Sequence, residues 1–271
     1  MSQPHALLSL DFDGTMVLEG VSPEFAPTLR EALQDWTSAG GLWLVNSGRS
    51  LPHLLEGLAG AAPDLRPAFL VSREHEIHVP NAFGRWMDFG DWNHLAGKAH
   101  KKLFRRHRRF FKQVERHLEE HTLASFIRLE SDPAGIVAST EAEMDSIASY
   151  LDPYLAERED LGYERNSIYL RFCHRNYTKG SALAHIARHL GTPPALVHAV
   201  GDNHNDLSML NPAVAGKLAC PANSVPEVRS AVARAGGYVA DRAGSEGTAD
   251  AIRHWLAGMG SDGGAFESRN G

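Results

Sequence analysis

The sequence lacks several features that mark other classes of protein. Its 271 residues include only two cysteines, Cys173 and Cys220, which are too few and too isolated for a disulfide framework or a zinc site. No apolar run approaches the roughly 20 residues that span a bilayer. The formal net charge is -6, so the chain has no general attraction for nucleic acid or an anionic membrane.

The two ends of the sequence carry no recognisable targeting signal. Met1 to Leu10 has no basic stretch followed by a long apolar run, which a signal peptide would show. Together with the isolated cysteines, this favours a reducing, cytoplasmic location. Residues 261–271 are rich in Gly, Ser and Asn, so we expect a disordered tail. Nothing in the sequence determines the oligomeric state.

Short apolar runs alternate with amphipathic stretches in both the first and the last third of the chain. Such runs are typical of buried parallel strands, and the stretches between them have helical periodicity. The alternation predicts an α/β fold, a Rossmann-like doubly wound parallel sheet with helices on both faces. The predicted strands are Ala6–Leu10, Leu42–Val45, Ala68–Val71, Leu196–Val200 and Ala213–Ala219, and the predicted helices are Thr28–Ala39, Leu51–Leu58, Thr178–His189, one beginning near His204, Val225–Ala235 and Glu246–Ala257.

The middle of the chain has a different pattern, in which helices and consecutive strands are segregated. This pattern predicts a separate α+β layer. We therefore predict a catalytic core at 1–82 and 174–260, interrupted by an α+β cap domain at 83–173. Two predicted strands, at Glu76–Pro80 and Arg85–Phe89, lie where the core leads into the cap. The other predicted elements of the cap are one long helix from about His94 to His121, a hairpin of Ser125–Ser131 and Gly135–Thr140 around Asp132-Pro133, a helix at Glu141–Leu151 and a strand at Ser167–Cys173.

Two aspartates stand at the end of the first predicted strand, in the run Asp11-Phe12-Asp13-Gly14-Thr15. Ligands of open α/β sheets bind at the carboxyl ends of the strands. One carboxylate could attack a phosphorus atom, and the other could give and take a proton. Taken alone, the motif also fits an ordinary Asp-Gly turn.

A second acidic group follows a later strand, in the run Gly201 to Asp206. The oxygen ligands of Asp202, Asn205 and Asp206 suit Mg²⁺. A helix N-cap alone would explain Asp202 or Asn203, but it does not need four oxygen-bearing side chains in five positions.

Two further signals lie near predicted helix starts. Asn46-Ser47-Gly48-Arg49 offers a hydroxyl and backbone N–H groups, which is a suitable anion site. Lys179 could offset the charge of a phosphate. Each signal is weak alone, since such a Ser is usually a cap and such a Lys is usually solvated, but together they indicate one pocket.

The order and wording of these motifs resemble the haloacid dehalogenase superfamily: D-F-D-G-T, S-G-R, K-G and G-D-N-H-N-D. The position of the cap resembles subfamily IIB. The stretch Glu74–Pro80 leading to Trp86, and the K-G-S-A-L run at Lys179, resemble sucrose-phosphatase-type sugar phosphatases. Members of this family often carry Asn-Gly or Gly-Ser before the cap, whereas this chain reads Ser72-Arg73-Glu74-His75.

The resemblance implies a Mg²⁺-dependent phosphatase that acts on a small phosphate ester, in particular a sugar phosphate. Asp11 would be the nucleophile and a metal ligand, and Asp13 the general acid/base that lends its backbone carbonyl to the metal. Asp202 would be the other metal carboxylate, supported by Asp206 from outside the coordination sphere. Ser47, Gly48, Lys179 and Asn205 would hold the phosphate.

Two rivals to this function stay open, a phosphomutase and a non-catalytic sugar-phosphate sensor. A phosphomutase usually carries its cap just after the first motif, where Gly14 to Leu44 is too short to contain one. A sensor has no need of both Asp11 and Asp13. A cation-rich stretch from Lys98 to Arg116 could suggest nucleic-acid binding, but its phenylalanines match the apolar stripe of a helix, so we predict a solvated polar face.

Overall fold

The computed structural model describes residues 5–129 and 132–262, and its larger sheet has eight strands. The strands lie in the order β12-β11-β10-β1-β2-β3-β4-β5. Those from β12 to β3 are parallel, β4 pairs antiparallel with β3, and β5 pairs antiparallel with β4. Their bounds are β1 Leu7–Leu10, β2 Leu42–Asn46, β3 Phe69–Ser72, β4 Glu76–Pro80, β5 Trp86–Asp88, β10 Val197–Val200, β11 Lys217–Cys220 and β12 Tyr238–Val239.

Helices cover both faces of this sheet because its central strands are apolar on both sides. In β1, Leu8 and Leu10 pack into one hydrophobic cluster and Leu7 packs into another. Helices α1 (Pro27–Ser38), α2 (Leu51–Ala61) and α8 (Gly244–Asp262) contribute to the first cluster, whereas α6 (Lys179–Leu190) and α7 (Pro226–Arg234) contribute to the second. This is the doubly wound α/β arrangement that the sequence predicts.

A second sheet of four antiparallel strands lies in the middle of the chain, in the order β6-β7-β9-β8. Its strands are β6 Ser125–Leu129, β7 Asp132–Val137, β8 Leu161–Asn166 and β9 Tyr169–His174. Helices α3 (Trp92–Arg106), α4 (Arg108–His121) and α5 (Glu141–Ala156) share one buried apolar cluster with this sheet. Phe110 and Phe111 belong to that cluster, as the apolar stripe predicts, and the cations from Lys98 to Arg116 are mostly exposed.

The single long helix predicted from His94 to His121 is wrong, since two helices meet at His107. The His107 backbone leaves helical geometry there, and its imidazole Nε2 lies 2.8 Å from Asp160 Oδ1. A polar partner outside the two helices therefore holds His107 at the break. The helix predicted near His204 is only a 3-10 turn at His204–Asp206.

The sequence also missed β8 and placed the start of β9 too early. Ser167 has a φ of 50° and forms the turn between these strands. Residues 130 and 131, in the predicted hairpin, and residues 263–271 of the predicted tail lie outside the described residues. Within the described ranges, no helix is both long and apolar enough to cross a bilayer.

The division into core and cap remains a proposal, with one amendment. Strand β5 pairs with β4 in the eight-stranded sheet, although the predicted core segment ends at residue 82. We propose that the cap begins after this hairpin, at α3, because α3 to β9 supply the residues of the third apolar cluster.

Candidate active site

The strand order brings the predicted motifs to one edge of the large sheet. Leu10, the last residue of β1, is in register with Val200 of β10 and Val45 of β2. The residues that follow these parallel strands therefore emerge side by side. Asp11 follows β1 directly, Asp202 lies two residues beyond β10, and Ser47 follows β2.

Three buried carboxylates form the centre of the site. Asp11, Asp202 and Asp206 each offer an oxygen, and these oxygens lie within 4.8 Å of one another. Lys179, which is fully buried at the start of α6, donates to Asp11 Oδ1 at 2.8 Å and to Asp206 Oδ1 at 2.7 Å. One buried cation therefore faces three carboxylates, and the cluster can accept further positive charge.

The protonation equilibria of the site reflect this excess of buried acid. Burial raises the pKa of Asp11 well above its ordinary value, and the charge of Asp206 acts in the same direction. Burial and Asp206 also raise the pKa of Asp202 to about 7. For Lys179, burial lowers the pKa, but Asp11 and Asp206 more than offset this and raise it above its usual range. A bound cation would favour the ionised carboxylates.

Neighbouring residues fix the geometry of the cluster. Gly14 has a φ of 78°, and a Cβ atom there would lie only 2.7 Å from the Cγ atom of Asp202. The hydroxyl of Thr15 donates to Asp202 Oδ1 at 2.7 Å. Asp206 Oδ2 accepts from the backbone N–H groups of Asp202 and Asn203 at 2.8 and 2.9 Å. The structure thus places Asp206 inside the cluster, whereas the prediction from the sequence was a supporting role outside the coordination sphere.

Asp13 lies apart from the three-carboxylate cluster, with a side chain that is 42% exposed. Arg49 donates to both of its oxygens, through Nε at 2.8 Å and Nη2 at 2.6 Å. The guanidinium of Arg49 also lies over the ring of Phe12, 4.8 Å from its centroid. Arg49 belongs to the S-G-R motif, but the motif alone predicted no role for it. Its two hydrogen bonds to Asp13, the predicted acid/base, are seen only in the structure.

The predicted phosphate-binding residues Ser47 and Asn205 are both buried, and the side chain of each has a hydrogen-bond partner. Ser47 is buried, and its Oγ accepts from the Arg49 backbone N–H at 3.1 Å. Asn205 is buried as well, and its amide donates to Glu74 Oε1 at 3.1 Å. A Cβ atom at Gly48 would lie 3.0 Å from the same Glu74 oxygen. In the sequence, Glu74 stands out only as part of a departure from the family pattern. The structure places its carboxylate beside the predicted phosphate loop.

The donor set of the cluster fits a hard divalent cation. All three side chains offer carboxylate oxygens, and Asp11 Oδ2 is buried without a hydrogen-bond partner. An unpaired buried oxygen is costly unless a ligand, whether the cation or the substrate, lies beside it.

Comparison with known proteins agrees with this geometry. The profile of the haloacid dehalogenase-like hydrolases matches residues 69–252, which is more than half of the chain. The protein therefore belongs to this family.

One curated relative is similar in sequence over part of the chain. A phosphoglycolate phosphatase of Methanothrix thermoacetophila is 40% identical over 83 residues, which is 31% of this chain and 35% of the relative. The chain thus spans about a third of the length of that curated relative.

Solved structures share the fold over nearly the whole chain. A sucrose-phosphatase from Synechocystis, in complex with sucrose and phosphate, has a TM-score of 0.66 at 18% identity and covers 95% of this chain and 99% of its own. The haloacid dehalogenase-like hydrolase protein yhjK from Bacillus subtilis has a TM-score of 0.62 at 15% identity, with coverage of 93% and 92%.

Proposed function

We propose that the protein is a Mg²⁺-dependent phosphomonoester hydrolase that works through an aspartyl-phosphate intermediate. The observation that carries the proposal is the hydrogen bonding of the two carboxylate oxygens of Asp11. Its Oδ1 accepts from Lys179 and from the Phe12 backbone N–H at 2.8 Å each, whereas its Oδ2 has no partner. One oxygen is therefore held in place, and the other is available as a nucleophile.

Each predicted residue has a defined task in this reaction. Asp11 Oδ2 attacks phosphorus while Asp13 gives a proton to the departing ester oxygen, so the alcohol leaves neutral. In the second step Asp13 takes a proton from water, which attacks the phosphoryl group and releases Asp11 as a carboxylate. Ser47, Gly48, Lys179 and Asn205 would hold the phosphoryl oxygens.

Three residues would hold Mg²⁺: Asp11 and Asp202 through carboxylates and Asp13 through its backbone carbonyl, with Asp206 beside them. When bound, the ion neutralises the phosphate and the buried acids. For Asp13 to act on the substrate, Arg49 must release or share its carboxylate.

A sugar phosphate is the substrate class that we favour. Two relatives support a small phosphate ester through their names, phosphoglycolate phosphatase and sucrose-phosphatase. The α+β cap would close over the bound ester and exclude water. A phosphomutase and a sugar-phosphate sensor are the alternatives, and the available Oδ2 of Asp11 favours an enzyme over a sensor.

The test is turnover by the purified protein on para-nitrophenyl phosphate and a panel of sugar phosphates, with and without Mg²⁺. We expect Asp11→Asn to reduce kcat by at least 10³-fold with unchanged circular dichroism, because no other carboxylate can replace a covalent nucleophile. Asp35→Asn, the same change on an exposed position of α1, is the control. Retention of more than about a tenth of the rate by Asp11→Asn, or full activity after exhaustive chelation, would contradict the mechanism.

A further inference from the structure

The loop after β3 holds an unusual backbone conformation at two residues with side chains. Arg73 has a φ of 47° and Glu74 a φ of 70°, a region that glycine adopts readily and other residues avoid. Strain of this kind persists where the surrounding structure fixes it, and it is frequent at functional sites. This backbone conformation turns the Glu74 side chain towards the site, whereas a glycine at this position would place no side chain there.

The Glu74 carboxylate retains unused hydrogen-bonding capacity. The residue is only 6% exposed, and its Oε1 accepts from Asn205. Glu74 Oε2 and Asn205 Oδ1 are both buried without a partner. Two buried acceptors on neighbouring side chains therefore have no donor among the described residues. The Glu74 carboxylate adjoins Gly48, since its Oε1 would lie 3.0 Å from a Cβ atom there, so this place lies next to the proposed phosphate position.

The cap brings a second acid to the same region. Glu164 of β8 is 8% exposed, and the negative charge of Glu74 acts on it. Within the described residues Glu164 makes no ion pair and no side-chain hydrogen bond. Strand β8 packs against the 3-10 turn His204–Asp206, which carries Asn205. The cross-strand neighbour of Glu164 is Arg171, whose positive charge acts on Glu74. The positive charge of Lys179 acts on both glutamates as well, but Lys179 is already paired with Asp11 and Asp206. Negative charge is therefore in excess in this region.

We propose that Glu74 and Glu164 determine which alcohol the enzyme releases: they accept hydrogen bonds from a hydroxyl-bearing leaving group and reject one that carries a carboxylate. This inference rests on the proposed phosphatase function and names the substrate class for it. A carboxylate in this place must either face two like charges or force a glutamate to take up a proton, and both are unfavourable. A hydroxyl supplies the donor that Glu74 Oε2 and Asn205 Oδ1 lack.

The decisive comparison uses two phosphates that differ at one carbon. Glycerol 3-phosphate ends in a hydroxymethyl group, and 3-phosphoglycerate has a carboxylate at that position. We expect the wild-type kcat/KM to be at least tenfold higher for glycerol 3-phosphate, and we expect Glu74→Gln to reduce that ratio at least fivefold. Glutamine retains the size of the side chain and removes its charge. Glu159→Gln, the same change on an exposed cap position, should leave the ratio unchanged.

Para-nitrophenyl phosphate distinguishes failure of this inference from failure of the proposed function. If the wild type hydrolyses neither it nor any sugar phosphate of the panel, the phosphatase function itself is wrong. If it hydrolyses either, the ratio is decisive, and where turnover of the two phosphates is slow their competitive inhibition constants against the ester that is hydrolysed give the same comparison. An equal or higher kcat/KM for 3-phosphoglycerate, as expected if Arg171 binds the carboxylate, would overturn the inference. So would a ratio that Glu74→Gln leaves unchanged.

Discussion

The ion pairs of Lys179 allow the electrostatic description of the site to be tested without a substrate. Lys179 is fully buried and donates to two acids, Asp11 and Asp206, while Asp202 lies in the same cluster. Replacing it with methionine retains an unbranched side chain of similar length and removes the positive charge. The variant Lys179→Met therefore leaves three buried carboxylates in contact with no cation.

The expected magnitude follows from this arrangement. Removing one partner of a buried ion pair costs about 3–5 kcal/mol, because the remaining charge is buried and uncompensated. Here two carboxylates lose a partner, but they can relieve part of the cost by taking up a proton. We therefore expect Lys179→Met to lower the free energy of unfolding by about 4 kcal/mol at pH 7.5 in the presence of a chelator, a large part of the 5–15 kcal/mol typical of a folded protein.

The assay is urea denaturation followed by circular dichroism, with the slope of the transition checked for constancy. Lys217→Met, the same change at an exposed residue of β11, should cost less than about 0.5 kcal/mol. The double variant Lys179→Met/Asp206→Asn should recover part of the loss, because one uncompensated acid has been removed. The loss should also shrink at pH 5, where the remaining carboxyls bind protons more readily in the folded protein than in the unfolded chain.

A loss below about 1 kcal/mol at pH 7.5 would refute this reasoning, since it would mean that the buried carboxyls are neutral in the wild type as well. A loss that is independent of pH would contradict it too, because it would point to packing and not to charge.

Two further predictions concern the metal-binding geometry. Gly14→Ala should reduce activity more than 100-fold and weaken Mg²⁺ binding, because its Cβ atom would overlap Asp202; Gly20→Ala, with a similar φ of 80° and no atom within 4 Å of its Cβ, should have little effect on either. Burial raises the pKa of Asp202 from 3.8 to about 7, so its contribution to stability is present below pH 4 and is lost as the pH rises to 7. Added Mg²⁺ should therefore raise Tm strongly at pH 8 and little at pH 5, and an equal rise at both would show that Asp202 does not bind the ion.

The sequence predicted the parts of the site that lie in contiguous motifs. Asp11, Asp202 and Lys179 follow apolar strands or begin a helix, and these local patterns also fix which edge of the sheet they share. The interaction of Arg49 with Asp13 could not be predicted, because it depends on side-chain directions in two loops 36 residues apart. The role that we propose for Glu74 could not be predicted for a different reason. It depends on a left-handed backbone conformation that no propensity rule assigns to glutamate.

The fold shows the same division between local and long-range information. Helices with one strong apolar stripe, such as α1, were predicted to within a residue at each end. The break at His107 was not, because it depends on Asp160, which lies 53 residues later in the chain. Strand β8 was missed because only Leu161 and Tyr163 of its six residues pack into the third apolar cluster. Its residues Gly162, Glu164 and Arg165 have none of the apolar character that marks a strand.

The position of β1 between β2 and β10 has a consequence for how the protein is made. Its partner β2 is synthesised soon after it, but its other partner, β10, whose Val200 lies in register with Leu10, is synthesised much later. At 5–20 residues per second, the intervening 190 residues take roughly 10–40 s to synthesise. During that interval an apolar strand from the middle of the final sheet has one open edge, which is the kind of surface that associates wrongly with other chains. The nascent chain is therefore most exposed to aggregation while the cap is being translated.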